Sequence, residues 1–373
     1  MGRRLLRALL VVGVLVCAAP AVAAPPPVQA KAYILVNPAT GEVLAAKNPD
    51  RELPMASTTK LMTAIVALQR STMTTMVRVP SGLPGGSTAD LVPGERISMK
   101  TALTGLMVSS GNDAAVSIAT TVGKGSVARF VSYMNAEAAE MGLTHTHFVN
   151  PHGLDAAGHH SSVRDLVSMG ERAMESPFIR QTVSHQVSTI PGPGGVGTRR
   201  LQSENDLLGI DSEADGVKTG HTSGAGYSIV AHSTRASTKT GLYLAMIGSP
   251  SRAQRAQDAR RLLRWGQSQY VRVNPLRGDQ IITRVPVRDR PDTRVALVAD
   301  APFATTVRLG TRLTRTVVMP VELQGPIAKG TAVGEVRILA KNRVVGKRKL
   351  VVDQDVDGPS LLERVRSGVG RIL

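Results

Sequence analysis

The sequence predicts an α/β (α+β) domain over residues 24–270, an antiparallel sheet flanked by helices, then a small all-β domain at 271–357 and a terminal amphipathic helix at 358–373. Three observations carry this reading. Strand-like runs lie at both ends of the larger region, with helix-periodic segments between them. Past Tyr270 the helical spacing gives way to short β runs punctuated by Pro, Gly and Arg. At the C-terminus Leu361, Leu362, Val365, Val369, Ile372 and Leu373 fall on one side of a helical wheel, opposite Glu363, Arg364, Arg366 and Arg371.

Residues 1–23 read as an export signal. Arg3, Arg4 and Arg7 form a basic start, Ala8 to Val16 an apolar run too short to span a bilayer, and Ala21-Val22-Ala23 a small-residue cleavage site. The mature chain then begins at Ala24. Cys17, the one cysteine, falls inside the signal, so the mature chain has no disulfide, no thiol catalysis and no cysteine-held metal. The 45 Lys+Arg against 28 Asp+Glu give a formal charge of +17, which favours anionic partners. Export and an aromatic content of 3%, too low for base-stacking platforms, argue against nucleic acid and leave an envelope surface. Residues 271–373 hold 19 Lys/Arg against 10 Asp/Glu, about half of the excess.

In chain order, Ala32 to Val36 and Gly41 to Ala46 read as a hairpin around the turn Asn37-Pro38-Ala39-Thr40-Gly41. Next, Leu61, Ala64, Ile65, Ala67 and Leu68 recur at helical spacing, with Pro54 at the expected entry. Pro80 to Glu95 is a polar loop. Ser98–Met107, Ala114–Ala119, Ser126–Met141 and Ser162–Met174 read as helices. Asp215 to Ala231 reads as strand, Gly-rich bend and strand, Leu242–Ile247 as a further strand, and Ala253–Tyr270 as an amphipathic helix. The sheet then combines the N-terminal strands with those around Lys218, and the Ser57 helix is buried between sheet and helices. Short β runs at 285–287, 295–298, 305–309, 316–321, 334–339 and 349–352 make the small domain.

Four stretches carry chemistry. Ser57 and Lys60, three apart in a first helical turn, share a face. A serine that holds its proton is a weak nucleophile, and a lysine can take that proton only when neutral. Burial and a second cation both push its pKa down. In Val108-Ser109-Ser110-Gly111-Asn112-Asp113 the Ser and Asn stand at a helix junction, free to reach a neighbouring site or to cap a helix. A strand bearing Lys218 and Thr219, with Gly220 permitting close approach to its backbone, suits an extended ligand ending in a carboxylate; an exposed hairpin lysine fits the same residues. Finally, His145, His147, His152, His159 and His160 invite a metal, but no Glu or Cys stands at ligand spacing and no His-Glu-x-x-His occurs, which favours loop-structuring histidines.

Taken together, Ser57-Thr58-Thr59-Lys60, Ser110-Gly111-Asn112 and Lys218-Thr219-Gly220 resemble the active-site set of penicillin-binding proteins and serine β-lactamases. More closely, the chain resembles the exported D-alanyl-D-alanine carboxypeptidases among the low-molecular-mass penicillin-binding proteins. The likeness runs through the 32–46 hairpin, His152-Gly153-Leu154-Asp155, Lys218 to Tyr227, Trp265-Gly266, Val273-Asn274-Pro275-Leu276 and Pro326-Ile327-Ala328-Lys329-Gly330. It implies the penicillin-binding-protein-like transpeptidase fold, and none of its motifs calls for a cofactor or metal. It also implies that Ser57 attacks the penultimate D-Ala carbonyl of a peptidoglycan stem pentapeptide, releasing D-Ala and leaving an acyl-enzyme for water. Lys60 is then the base, kept neutral in part by Lys218. Ser110 relays a proton, Asn112 holds the substrate amide, Lys218 and Thr219 bind the terminal carboxylate, and the N–H groups of Ser57 and His221, beside Gly220, form the oxyanion hole. β-Lactams acylate the same serine.

The likeness also implies that the terminal helix anchors the protein peripherally on the outer face of the cytoplasmic membrane. One departure is Ser203-Glu204-Asn205, where relatives carry Asn-x-Asn; another is the lack of a Glu-x-x-Leu-Asn element, which predicts slow release of β-lactams and disfavours a β-lactamase. A cross-link endopeptidase is disfavoured by the appended β domain. An inactive envelope scaffold is disfavoured by three intact motifs.

Overall fold

The computed structural model describes residues 9–15, 23–278, 280–288, 290–358 and 360. The expected anchor helix, with Leu361, Leu362, Val365, Val369, Ile372 and Leu373, and most of the expected signal segment, Cys17 included, lie outside the described residues. Backbone contacts divide the chain into a unit of Ala24–Ser268 and a second from Gln269 onward, which also includes the N-terminal segment.

Strand β1 (Leu9–Leu15) belongs to the second unit. The large unit opens with β2 (Ala32–Asn37) and β3 (Glu42–Lys47), then a 3₁₀ turn at Ala56–Thr59 that runs into α1 (Lys60–Arg70). A small ribbon of β4 (Met76–Arg78) and β5 (Arg96–Ser98) flanks the polar loop. Helices α2 (Met99–Met107), α3 (Asn112–Val122), α4 (Val127–Glu140), α5 (Val163–Met174) and α6 (Pro177–Val183) follow. Ser98, Ser126, Ser162 and Ser176 start four of them, each side chain accepting from a backbone N–H inside the first turn. Then come the hairpin β6 (Val187–Pro191) and β7 (Thr198–Gln202), the short α7 (Leu207–Ile210), strands β8 (Ala214–Thr222), β9 (Gly226–Arg235) and β10 (Thr240–Ser249), and α8 (Arg252–Ser268).

The main sheet has the order β3-β2-β10-β9-β8, antiparallel throughout, so chain-distant strands are neighbours as the sequence predicts. Its two faces follow from strand alternation. On β10, Tyr243, Ala245 and Ile247 join the core built around α1, while Leu242 points the other way. Gly170 of α5 packs where a Cβ would touch Val230 and Tyr243, and Gly266 of α8 where one would touch Leu35 and Leu242. Helices therefore cover both faces. Lys60 to Ala67 are all buried, so α1 is the central helix, and apolar burial around it supplies the main stabilisation. This leaves β8 at a sheet edge with the 3₁₀ turn that carries Ser57 packed against it.

The second unit continues with β11 (Tyr270–Leu276), β12 (Ile281–Val287), β13 (Arg290–Ala299), β14 (Phe303–Arg308), β15 (Leu313–Met319), β16 (Ala332–Ala340) and β17 (Arg343–Val352). One sheet runs β1-β15-β16-β17-β13-β12, and β11 pairs with β14. Its core is aliphatic, with Leu297, Val336, Ile338 and Leu350 fully buried.

Candidate active site

The turn that carries Ser57 is built where an alanine takes an unusual backbone. Ala56 has φ +52°, in the left-handed region that a Cβ disfavours. This interrupts the helical path, so Pro54 stands before the helix instead of at its first position, and Ser57 sits in the 3₁₀ turn ahead of α1. Thr59 Oγ1 donates to the Ala56 carbonyl at 2.8 Å, and Thr58 Oγ1 to that of Met55 at 2.6 Å. Lys60, the first residue of α1, still reaches back to Ser57, with Nζ 2.9 Å from Oγ.

Lys60 is wholly buried and has two further partners. Nζ donates to Asn112 Oδ1 at 2.7 Å and to the His152 carbonyl at 2.7 Å. Both are obligate acceptors: Asn112 is oriented by its own Nδ2, which donates to the Gly85 carbonyl at 2.6 Å. A neutral amine has two N–H bonds and one lone pair. An ammonium donates to all three oxygens, Ser57 Oγ included, whereas the neutral amine gives its hydrogens to the two carbonyl oxygens and turns its lone pair to the Ser57 hydroxyl. Burial first, and the charge of Lys218 second, push this amine well below its usual 10.5, with Asp113 opposing. The second cation does help, as the resemblance implies, but desolvation dominates.

Ser110 is a second non-glycine residue at positive φ, +61°, at the junction between α2 and α3. Lys218 Nζ donates to Ser110 Oγ at 2.8 Å and to the Thr219 carbonyl at 2.9 Å. Burial lowers the Lys218 amine to about 7, the Glu204 carboxylate opposing and Arg255 adding to it. Asp113 fixes the wall facing β8: it accepts from Thr88 Oγ1 (2.6 Å) and the N–H groups of Ala89 (3.0 Å), Leu91 (2.9 Å) and Ala114 (2.7 Å). Gly220 is required where it stands, since a Cβ there would lie 2.7 Å from Ser57 N.

Ser57, Ser110, Asn112, Thr219, Gly220 and His221 line one cavity of about 380 Å³. Lys60 and Lys218 lie buried with their amines on Ser57 and Ser110. All eight residues singled out in the sequence therefore converge. The engagement of Asn112 differs from the expectation: its amide already bonds Lys60 and Gly85, so holding substrate is not its only task.

Several wall residues carry no motif. Gly86 and Ser87 come from the polar loop, Arg252 and Arg255 from α8, and Tyr227, stacked on His221 at 4.0 Å, from β9. Glu204 also lines the cavity. Its carbonyl accepts from Thr219 Oγ1 at 3.1 Å, and its carboxylate is 3.4 Å from Arg252, which also grips Asp206 through two bonds of 2.6 and 2.7 Å. Pairing with Arg252 offsets the charge of the acid at the middle position of Ser203-Glu204-Asn205.

Among the loop histidines, His147 Nδ1 bonds the Gly158 carbonyl, His152 Nδ1 accepts from Leu154 N, and His159 Nδ1 accepts from Val149 N. Among the described residues no group of three or more His, Cys, Asp or Glu is placed to hold a metal ion.

A serine hydroxyl 2.9 Å from a buried amine whose pKa is pushed down, beside an edge strand that can seat an extended chain, fits a serine-type acyl-transfer site. The family described as D-alanyl-D-alanine carboxypeptidase (peptidase S11) matches residues 19–249, and the penicillin-binding protein 5 C-terminal domain matches residues 270–358. The D-alanyl-D-alanine carboxypeptidase DacC of Escherichia coli is 31% identical over 358 residues, spanning 91% of this chain and 87% of that protein. DacF of Bacillus subtilis is 27% identical, spanning 92% and 90%. Penicillin-binding protein 5 from Haemophilus influenzae superposes with a TM-score of 0.64 at 30% identity, covering 90% of this chain and 99% of that structure. The Streptomyces K15 DD-transpeptidase superposes at 0.63 and 29%, covering 66% and 100%. The chain belongs to the D-alanyl-D-alanine carboxypeptidase family and is a serine-type carboxypeptidase of the penicillin-binding-protein fold.

Proposed function

We propose that the enzyme trims peptidoglycan stem pentapeptides by the following division of labour. Ser57 Oγ attacks the penultimate D-Ala carbonyl and its proton passes to Lys60 Nζ. The oxyanion that forms is met by the N–H groups of Ser57 and His221. The C–N bond then breaks, the proton held on Lys60 passing by way of Ser110 and Lys218 to the leaving amine, so that D-Ala departs and Lys60 is neutral again. Water, deprotonated by the same Lys60, hydrolyses the ester on Ser57. Thr219 and Lys218 receive the terminal carboxylate, with Arg252 and Arg255 adding positive charge nearby. A β-lactam acylates Ser57 in the same way, but its cleaved amine remains tethered.

The observation that carries this reading is the 2.9 Å contact between Ser57 Oγ and Lys60 Nζ, on an amine that burial and the charge of Lys218 drive toward its neutral, basic form. The test is a pentapeptide ending in D-Ala-D-Ala. One equivalent of D-Ala is expected, with the remaining tetrapeptide left uncut; no D-Ala, or cleavage only of cross-linked dimers, contradicts it.

We further infer export through residues 1–23 and peripheral attachment through 358–373, supported by the basic-apolar leader and the amphipathic C-terminal pattern. Among the described residues no helix is long and apolar enough to cross a membrane. Deleting 358–373 is expected to release the protein from membranes with peptide turnover intact. Retention of the truncated protein at low and high salt refutes the anchor.

A further inference from the structure

His159 takes no part in the acyl-transfer steps, yet it is buried directly behind them. Its side chain sits under the loop 147–160, 4% exposed, with its ring edge-on to Phe148 at 6.0 Å. Nδ1 accepts from Val149 N–H at 3.0 Å, and Nε2 is 2.8 Å from Thr59 Oγ1. The direction of these bonds is determined. Thr59 has one hydroxyl hydrogen and gives it to the Ala56 carbonyl at 2.8 Å, so toward His159 it accepts, and Nε2 carries the proton. Burial first, with the neighbouring histidines, lowers His159 to about 4, so the neutral ring persists at working pH. A single chain of bonds thus runs from Val149 N–H through His159 and Thr59 to the carbonyl of Ala56.

That carbonyl belongs to the peptide whose other end is Ser57 N–H. The peptide is planar and trans, so its C=O and N–H point in opposite senses. Drawing the Ala56 oxygen toward Thr59 turns the Ser57 N–H away from it, toward the β8 backbone, where a Cβ on Gly220 would come within 2.7 Å of that nitrogen. Ala56 needs such a restraint, because an alanine at φ +52° costs about 1–3 kcal/mol relative to an ordinary conformation. Gly153 presses on the same oxygen, leaving no room for a side chain: a Cβ there would lie 2.0 Å from it.

We propose that His159 is a positioning residue for acylation: through Thr59 it holds the Ala56–Ser57 peptide in the strained orientation that aims the Ser57 N–H at the developing oxyanion. The idea rests on the acyl-enzyme reading above. It predicts a loss in the chemical step with little loss in binding, because an oxyanion donor acts on charge that the ground state lacks.

The test uses the mature chain and four variants: His159→Phe, which keeps a ring but no polar atom; His159→Gln, which can accept from Val149 and donate to Thr59; Thr59→Val; and His159→Phe with Thr59→Val. Penicillin acylation is followed by stopped flow, and kcat and KM by D-Ala release. His159→Phe and Thr59→Val are each expected to slow acylation and kcat about tenfold or more, with KM within about twofold, and His159→Gln to recover to within about threefold of wild type. The double variant is expected to be no slower than the slower single, since both act on one chain of bonds. Wild-type acylation by His159→Phe, a loss that His159→Gln does not restore, or multiplied losses in the double variant overturn the proposal. If near-UV circular dichroism shows His159→Phe unfolded, Thr59→Val decides alone. Failure of the wild type to react with penicillin overturns the acyl-enzyme reading itself, whereas the variant series can fail by itself.

Discussion

Burying a lysine in a form that loses its proton near neutral pH makes stability rise with pH through the neutral and mildly basic range, and Lys218 supplies a number. Its amine falls from 10.5 in the open chain to about 7 in the fold, chiefly by burial. In that window the unfolded chain binds a proton that the folded one does not, so stability rises with pH. Between pH 7 and pH 9 the relief from this one group is about 2 kcal/mol, obtained from the two protonation equilibria. Lys60 adds in the same direction, and Lys218→Met weakens that addition as well, because Lys218's charge helps to hold Lys60 neutral. The assay is urea unfolding of the wild type and Lys218→Met at both pH values. The wild type is expected to gain at least about 2 kcal/mol over the variant, or about 4–8 °C in Tm for a domain of this size. Parallel pH profiles refute the claim that Lys218 is buried and neutral above pH 7.

Three further outcomes follow from named contacts. Lys60→Met removes the proposed base and is expected to slow acylation about 10²–10⁴-fold, with noncovalent penicillin binding retained in stopped-flow traces. Asp113→Ala leaves the N–H groups of Ala89 and Leu91 without their acceptor, so it is expected to cost about 2–4 kcal/mol in urea titrations and to loosen the wall that carries Gly86 and Ser87. Glu204→Gln deletes the carboxylate that opposes the lowering of the Lys218 amine. Where the Lys218 cation holds the substrate carboxylate, the high-pH limb of kcat/KM is then expected to move to lower pH, and an unmoved limb contradicts that role.

The parts legible in the sequence are those with a local signal. Alternation marks the β2–β3 hairpin and the strands around Lys218, and serines mark the starts of α2, α4 and α5. The hairpin of β6 and β7 is not legible. Its tip, Gly192-Pro193-Gly194-Gly195-Val196-Gly197, reads as loop, and its strands bury one apolar side chain each, Ile190 and Leu201, too few to show alternation. Strand β11 is disguised by Pro275 and by the helix running into it. In the site, Ser57, Lys60, Ser110, Asn112 and Lys218 announce themselves because their chemistry resides in side chains at set spacings. The His152 carbonyl cannot, since every residue has one. Arg252 and Arg255 are lost among the other arginines of α8, and only the fold shows which of them face the cavity. The left-handed Ala56 leaves no sequence trace, because alanine is the residue least expected to depart from a helix.

The most direct test of the central claim is intact-mass and peptide-mapping mass spectrometry of the mature protein after exposure to penicillin, with Ser57→Ala beside it. The account predicts one penicilloyl group, mapped to Ser57 and absent from the variant. An adduct elsewhere, or one that survives in Ser57→Ala, would mean that the buried amine of Lys60 activates something other than the serine 2.9 Å away.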